Sequence, residues 1–138
     1  MKDAQHLTLE QKIGQLFVLG FQGHHPDGET LDLILLGMGP DGHIASLYPN
    51  APTLQRQERV LPARAQLEPF VDRVTLSIPA LRAGRELVFL ITGEAKSEAA
   101  RRAFADEPSP ATPASLVRSD AGRTTAILDR AAAARLYP

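Results

Sequence analysis

The sequence predicts an α/β domain with a largely parallel sheet, and two observations carry that expectation. Leu33 to Leu36 and Glu86 to Thr92 are short, almost unbroken apolar runs, which suit strands buried on both faces. Around them, strand signals alternate with helix signals, and that order marks parallel strands joined by crossovers. With 138 residues, 43% hydrophobic and 22% charged, the chain is long enough for one domain with its own core.

The elements follow in order. Thr8 and Gln11 form a capping box that opens a short helix with Leu9, Ile13 and Leu16 on its inner face. Gly14 and Gly20 then favour a switch to a strand at Leu16–Leu19. Residues 24–30, HHPDGET, read as a turn-rich linker. The first buried strand ends at Gly37. Asn50 to Pro69 is polar and broken by Pro52, Pro62 and Pro69, so a long loop with at most short helical turns is expected there.

Arg73 to Ile78 alternates in polarity and is rich in β-branched residues, as in a strand exposed on one face. Pro79 to Gly84 reads as one helical turn, Glu86 to Thr92 as the second buried strand, and Lys96 to Ala105 as an alanine-rich helix. Three prolines between Asp106 and Pro113 enforce a loop, after which Thr112 and Pro113 fit an N-cap and first helical position of a short helix to Arg118. Thr124 to Leu128 is a last strand, and Asp129 is placed to cap a terminal helix.

Composition excludes several functions. A formal net charge of −1 without a basic cluster argues against nucleic-acid and membrane-surface binding. The absence of cysteine removes disulfides, thiol catalysis and cysteine zinc sites and suits a reducing cytoplasm. No apolar stretch approaches the roughly 20 residues that span a bilayer, and the polar start after Met1 does not read as a signal peptide, so a soluble cytoplasmic protein is expected. His24 and His25 beside Asp27 and Glu29 do not make a metal site, because adjacent histidines diverge and no third ligand is fixed by spacing.

Chemistry concentrates after the first buried strand. Gly37, Gly39 and Gly42 match the dinucleotide fingerprint G-x-G-x-x-G literally, but Pro49 and Pro52 leave no room for the long helix that must begin at the third glycine. Ligands of open α/β sheets bind at the carboxyl ends of strands, which is where Asp41 and His43 stand. His43 is a candidate general base, and Gly42 before it would let a substrate approach. Asp41 either orients the ring or binds backbone amides in the turn. No G-x-S-x-G elbow occurs, so activated water is the more natural nucleophile. At Gly93-Glu94-Ala95-Lys96 a strand turns into a helix, and a lysine at the positive end of a helix suggests a bound anion such as phosphate, the alternative being that Lys96 pairs with Glu94 or projects into solvent, as lone lysines more often do.

From Leu31 onward the pieces DLILLGMGPDGHIASLYP, RVTLSIPAL, ELVFLITGEAK, PASLVR and ILDRAAAARL resemble, in the same order, the C-terminal half of the 6-phosphogluconolactonases. These belong with the glucosamine-6-phosphate isomerases in one sugar-phosphate superfamily. The resemblance implies a partial Rossmann-like α/β/α sandwich and hydrolysis of 6-phospho-D-glucono-1,5-lactone to 6-phosphogluconate in the pentose phosphate pathway, without metal or cofactor. It implies that His43 is the water-activating base, with Asp41 beside it. It further implies that Lys96 contacts the substrate phosphate and that Gly37, Gly39 and Gly42 belong to the substrate-binding loop. The isomerases resemble D-G-H-I-A-F-N-E-P, with a glutamate that supports ring opening. Residues 44–49 here, IASLYP, contain no acid, which favours the lactonase over the isomerase.

Residues 7–23 resemble instead the opening of family-3 glycoside hydrolases of the β-N-acetylhexosaminidase type, without the barrel that would carry a glycosidase site. The expected organisation is therefore an N-terminal extension and linker over residues 1–30 and a lactonase-like half-domain over residues 31–138. The family's N-terminal half is not recognisable in residues 1–27. Two expectations follow: self-association through an exposed sheet edge at Leu31–Leu36, and impaired activity, with an inactive sugar-phosphate-binding remnant as the alternative.

Overall fold

The computed structural model describes residues 19–20 and 31–137. A four-stranded sheet runs in the order β1 (Leu19–Gly20), β2 (Leu33–Leu36), β5 (Glu86–Ile91), β6 (Arg123–Leu128). The two inner pairings are parallel, Leu36 beside Phe89 and Phe89 beside Ala126, while β1 adds two antiparallel pairs, Leu19 to Ile34 and Gly20 to Leu33. The mostly parallel α/β sheet expected from the apolar runs is thus present. The capping-box helix and the 24–30 linker lie outside the described residues, and of the strand expected at 16–19 only Leu19 is described.

Because β2, β5 and β6 advance in one direction, right-handed crossovers put both connections on one face. Those connections contain two α-helices, α1 (Ile78–Arg82) and α2 (Ser97–Phe104). Ser77 caps α1 by accepting a hydrogen bond from the Ala80 amide, with Pro79 in the first turn where no amide is needed. Ile78, Leu81, Ala99, Ala100 and Ala103 pack on Ile34, Leu36, Leu87, Phe89 and Ile91 to form the core. The alanines let α2 lie close to the sheet, and Phe104 meets Phe89 edge-on with ring centroids 5.3 Å apart. The opposite face carries Leu33, 39% exposed, and Ile127, 54% exposed, so among the described residues the sandwich has one covered face.

Three sequence expectations are corrected. The stretch from Asn50 to Pro69 is not a loop throughout: after a 3-10 turn at Pro52–Gln55, Val60–Arg64 forms β3 and pairs antiparallel with β4 (Asp72–Leu76). Pro62 is tolerated because of register. The bonds from Ser77 N to Arg59 O and from Ala65 N to Val71 O put the odd-numbered residues of β3 in hydrogen-bonded pairs. Pro62 therefore sits opposite Val74 at a non-bonded position, where its missing N–H removes nothing. Inward alternation of Leu61, Ala63 and Ala65 was hidden by the prolines and charges around it.

The segment after Thr112 is a 3-10 turn at Pro113–Leu116 with no side-chain cap from Thr112. The residues after Asp129 form turns, not an α-helix, although Asp129 does bind the Ala132 amide at 2.7 Å. A piece this short cannot repay helix nucleation by itself. Among the described residues, no helix is long and apolar enough to cross a membrane.

Candidate active site

β2 and β5 are parallel neighbours, so the loops that follow them leave the same edge of the sheet. The first, from Gly37, folds back on itself: Gly42 N donates to Gly39 O at 3.0 Å and Gly39 N to His43 O at 2.9 Å. Gly42 holds a φ of +92°, a conformation that favours glycine. After it the chain continues in turns at residues 44–47 and starts no helix. Ala45 also adopts a left-handed φ of +51°, held by Leu47 N to Ile44 O at 2.8 Å and by Ser46 N to Thr75 Oγ1 at 3.2 Å. The β3–β4 ribbon thereby braces the loop.

This loop presses Asp41 and His43 together. Asp41 Oδ1 accepts from the His43 backbone amide at 3.1 Å and lies 2.6 Å from His43 Nδ1. Both roles that the sequence left open for Asp41 are filled at once. A carboxylate only accepts, so Nδ1 carries a proton, and in the neutral form of the ring Nε2 keeps its lone pair. Tyr48 stacks on the imidazole, with centroids 4.8 Å apart and planes tilted by 32°. His43 retains 18% of its side-chain exposure and Asp41 29%, so the pair is largely buried yet open to a small molecule. Burial pushes the Asp41 carboxyl up, but the hydrogen bond from His43, the charge of its protonated form and the backbone amides outweigh it and hold the carboxyl below its usual range.

The glycines serve this geometry. A Cβ on Gly39 would fall 2.1 Å from His43 Nδ1, and one on Gly42 would fall 2.8 Å from Thr112 Cγ2. Their amides and the space beside them are engaged by the protein, so both shape the loop. Gly37 is its first residue after β2.

The second loop follows β5. Gly93, with φ at +94°, precedes a 3-10 turn at Glu94–Lys96 that runs into α2. Lys96 closes that turn through its amide, which donates to Gly93 O at 3.1 Å. Arg102 ties α2 to the first loop: its Nη2 donates to Asp41 O at 3.3 Å, and among the described residues its Nε is buried without a hydrogen-bond partner. From the 105–118 segment, Ala114 N donates to Gly42 O at 3.0 Å. Of the residues expected from the sequence, the fold brings Asp41 and His43 into contact and puts Lys96 in the turn after β5, while Tyr48, Arg102 and Thr112 beside the first loop were not among them. For Tyr48 the aromatic within the same loop was an available signal, whereas Arg102 and Thr112 reach it only through the fold.

Among the described residues, no group of three or more His, Asp and Glu side chains could hold a metal ion. His24 and His25 lie outside those residues.

Comparison with known proteins agrees with the motifs. Residues 3–126 match the family described as glucosamine-6-phosphate isomerases/6-phosphogluconolactonase. The human 6-phosphogluconolactonase is 42% identical over 105 residues, covering 75% of this chain and 41% of its own length. The Streptomyces coelicolor 6-phosphogluconolactonase is 39% identical over 114 residues, covering 82% and 43%. The chain thus spans less than half the length of the curated relatives it matches. Among solved structures, 6-phosphogluconolactonase from Trypanosoma brucei superposes with a TM-score of 0.71 at 30% identity, covering 78% of this chain and 43% of that one. The Trypanosoma cruzi structure gives 0.70 at 30% identity, with 94% and 50% covered.

Proposed function

The chain belongs to the glucosamine-6-phosphate isomerase/6-phosphogluconolactonase family, and from that premise we propose that it hydrolyses 6-phospho-D-glucono-1,5-lactone to 6-phosphogluconate. The observation that carries the reading is the 2.6 Å contact of Asp41 Oδ1 with His43 Nδ1, which leaves Nε2 as a base. Nε2 takes a proton from water as the water oxygen attacks the lactone carbonyl carbon. The imidazolium formed is stabilised by the Asp41 carboxylate. The bond from that carbon to the ring oxygen then breaks, and Nε2 returns its proton to the departing ring oxygen, leaving the open-chain acid.

Lys96 and the turn it closes would hold the phosphate, on the loop that leaves the same sheet edge. Arg102, through the Asp41 carbonyl, ties the His43 loop to α2, the helix that the second loop runs into. The lactonase is preferred to the isomerase because Ile44 to Pro49 supply no acid for ring opening. The proposal includes a cytoplasmic setting and self-association at the outer edge of β2, where among the described residues β1 pairs only with Leu33 and Ile34.

The test offers the protein two substrates. We expect it to release acid from the lactone above the spontaneous rate and no ammonia from glucosamine 6-phosphate. Ammonia release would transfer the reading to the isomerase side of the family. Tight binding of 6-phosphogluconate with neither reaction would leave an inactive sugar-phosphate binder.

A further inference from the structure

Two peptide groups join Asp41 to His43, and the carbonyl of each is held from outside the loop. Asp41 O accepts from Arg102 Nη2 at 3.3 Å, and Gly42 O accepts from Ala114 N at 3.0 Å. The two donors stand on elements that Arg118 joins, since its guanidinium donates to Ala103 O on α2 at 2.6 Å and to Ala114 O on the 3-10 turn at 2.9 Å. Both peptides between the carboxylate and the imidazole are therefore fixed to one frame. The contact from Arg102 falls on the residue whose carboxylate meets His43 Nδ1.

Arg102 gives little to stability. Its bond to Asp41 O is long for N–H···O and the acceptor is neutral, so it is a weak one. Among the described residues its Nε is buried without a hydrogen-bond partner, which costs folding free energy. Glu98, one turn earlier on α2, is taken by Arg101 and Arg135. A buried N–H left unmet calls for a reason other than stability, and what this side chain holds supplies one. We propose that Arg102 is a positioning residue: it fixes the peptide between Asp41 and Gly42, so that the Asp41 carboxylate meets His43 Nδ1 and Nε2 is aimed at the water it activates. This rests on the reading that His43 is the base of the hydrolysis. Arg102 touches neither lactone nor water and acts through Asp41.

The test compares wild type with Arg102→Met, Arg102→Lys and Arg101→Met on the full chain. It reads kcat and KM for 6-phosphogluconolactone, the nitrogen shifts of the His43 ring and the midpoint of urea unfolding. Arg102→Met keeps an unbranched apolar stem without a donor. It is expected to lower kcat on the order of 10-fold with KM within about twofold, and to move the Nδ1 shift of His43. Its unfolding midpoint is expected at or above that of wild type, because the unmet N–H is gone. Arg102→Lys can supply the single donor that the contact uses and is expected to stay within about threefold of the wild-type kcat. Arg101→Met removes the neighbouring charge, which pairs with Glu98 and Asp106, and is expected to keep the wild-type kcat.

An Arg102→Met protein with the kcat and His43 shifts of wild type would overturn the inference. An equal loss of kcat in the methionine and lysine variants, or in Arg101→Met, would also overturn it, since the donor to Asp41 O then would not matter. So would a loss of kcat in Arg102→Met with a lower unfolding midpoint and unmoved His43 shifts, which marks a purely structural role. A wild type that hydrolyses the lactone no faster than the spontaneous reaction would sink the lactonase reading. The His43 shifts then decide the positioning by themselves: a moved Nδ1 shift in Arg102→Met supports it, and an unmoved one overturns it.

Discussion

Gly39→Ala would put a methyl carbon 2.1 Å from His43 Nδ1, 2.2 Å from Cε1 and 2.6 Å from Asp41 Oδ1. Non-bonded carbons settle at about 3.5 Å, so the imidazole would have to retreat by about 1.4 Å. It has little freedom to do so. Tyr48 stacks on the ring at 4.8 Å, and the Gly39 N to His43 O bond ties the backbone of both residues together at 2.9 Å. The outcome is a broken Asp41–His43 contact, and a displacement of about 1 Å in a reacting group costs on the order of 100-fold.

Stability should fall by only about 1–2 kcal/mol, the worth of one charge-assisted hydrogen bond. Turnover of the lactone, corrected for spontaneous hydrolysis, reads the first effect and urea unfolding the second. The nitrogen shifts of the His43 ring report the lost contact independently of turnover. A Gly39→Ala protein with the rate and ring shifts of wild type would refute the reasoning.

Three further outcomes are expected. Asp41, with a carboxyl held below its ordinary value of 3.8, contributes stability that is present in full above that value and is lost as the pH falls through the lower folded one. Urea unfolding from pH 7 to 2 should therefore show a shallower acid limb for Asp41→Asn than for wild type, and parallel curves would contradict this. Gly42→Ala combines a φ of +92° with a 2.8 Å approach to Thr112 Cγ2 and should cost about 2 kcal/mol, with Thr112→Ala recovering part of the loss in the double variant. Arg118 donates to the carbonyls of Ala103, Ala114 and Val117 and lies 5.0 Å from the Phe104 ring centroid. Arg118→Lys should lose about 2–4 kcal/mol in chemical unfolding, because an ammonium cannot fork to three carbonyls and cover a ring.

The apolar runs of β2 and β5 were legible in the sequence because a strand buried within a sheet needs no partner information to be recognised. β3 was not, since Pro62 reads as a breaker until the register places its nitrogen away from β4. The Ala-rich end read as a helix by propensity, yet Asp129 divides its carboxylate between Ala132 and Gly93 and the segment stays in turns. Within the site, Asp41 and His43 are separated by one residue and were visible as a pair. The roles of the neighbouring glycines were not, because what fills the space beside Gly42 is Thr112, far along the chain. Arg102 reaches Asp41 across 61 positions of sequence, and no local pattern records such a contact.

The central claim is that the imidazole of His43, oriented by Asp41, activates water for attack on a lactone. Its most direct test is the rate of 6-phosphogluconolactone hydrolysis above the spontaneous reaction for wild type and His43→Ala at equal concentration. The account predicts a wild-type excess that falls in the variant by on the order of 100-fold or more. Equal rates for the two proteins would contradict it.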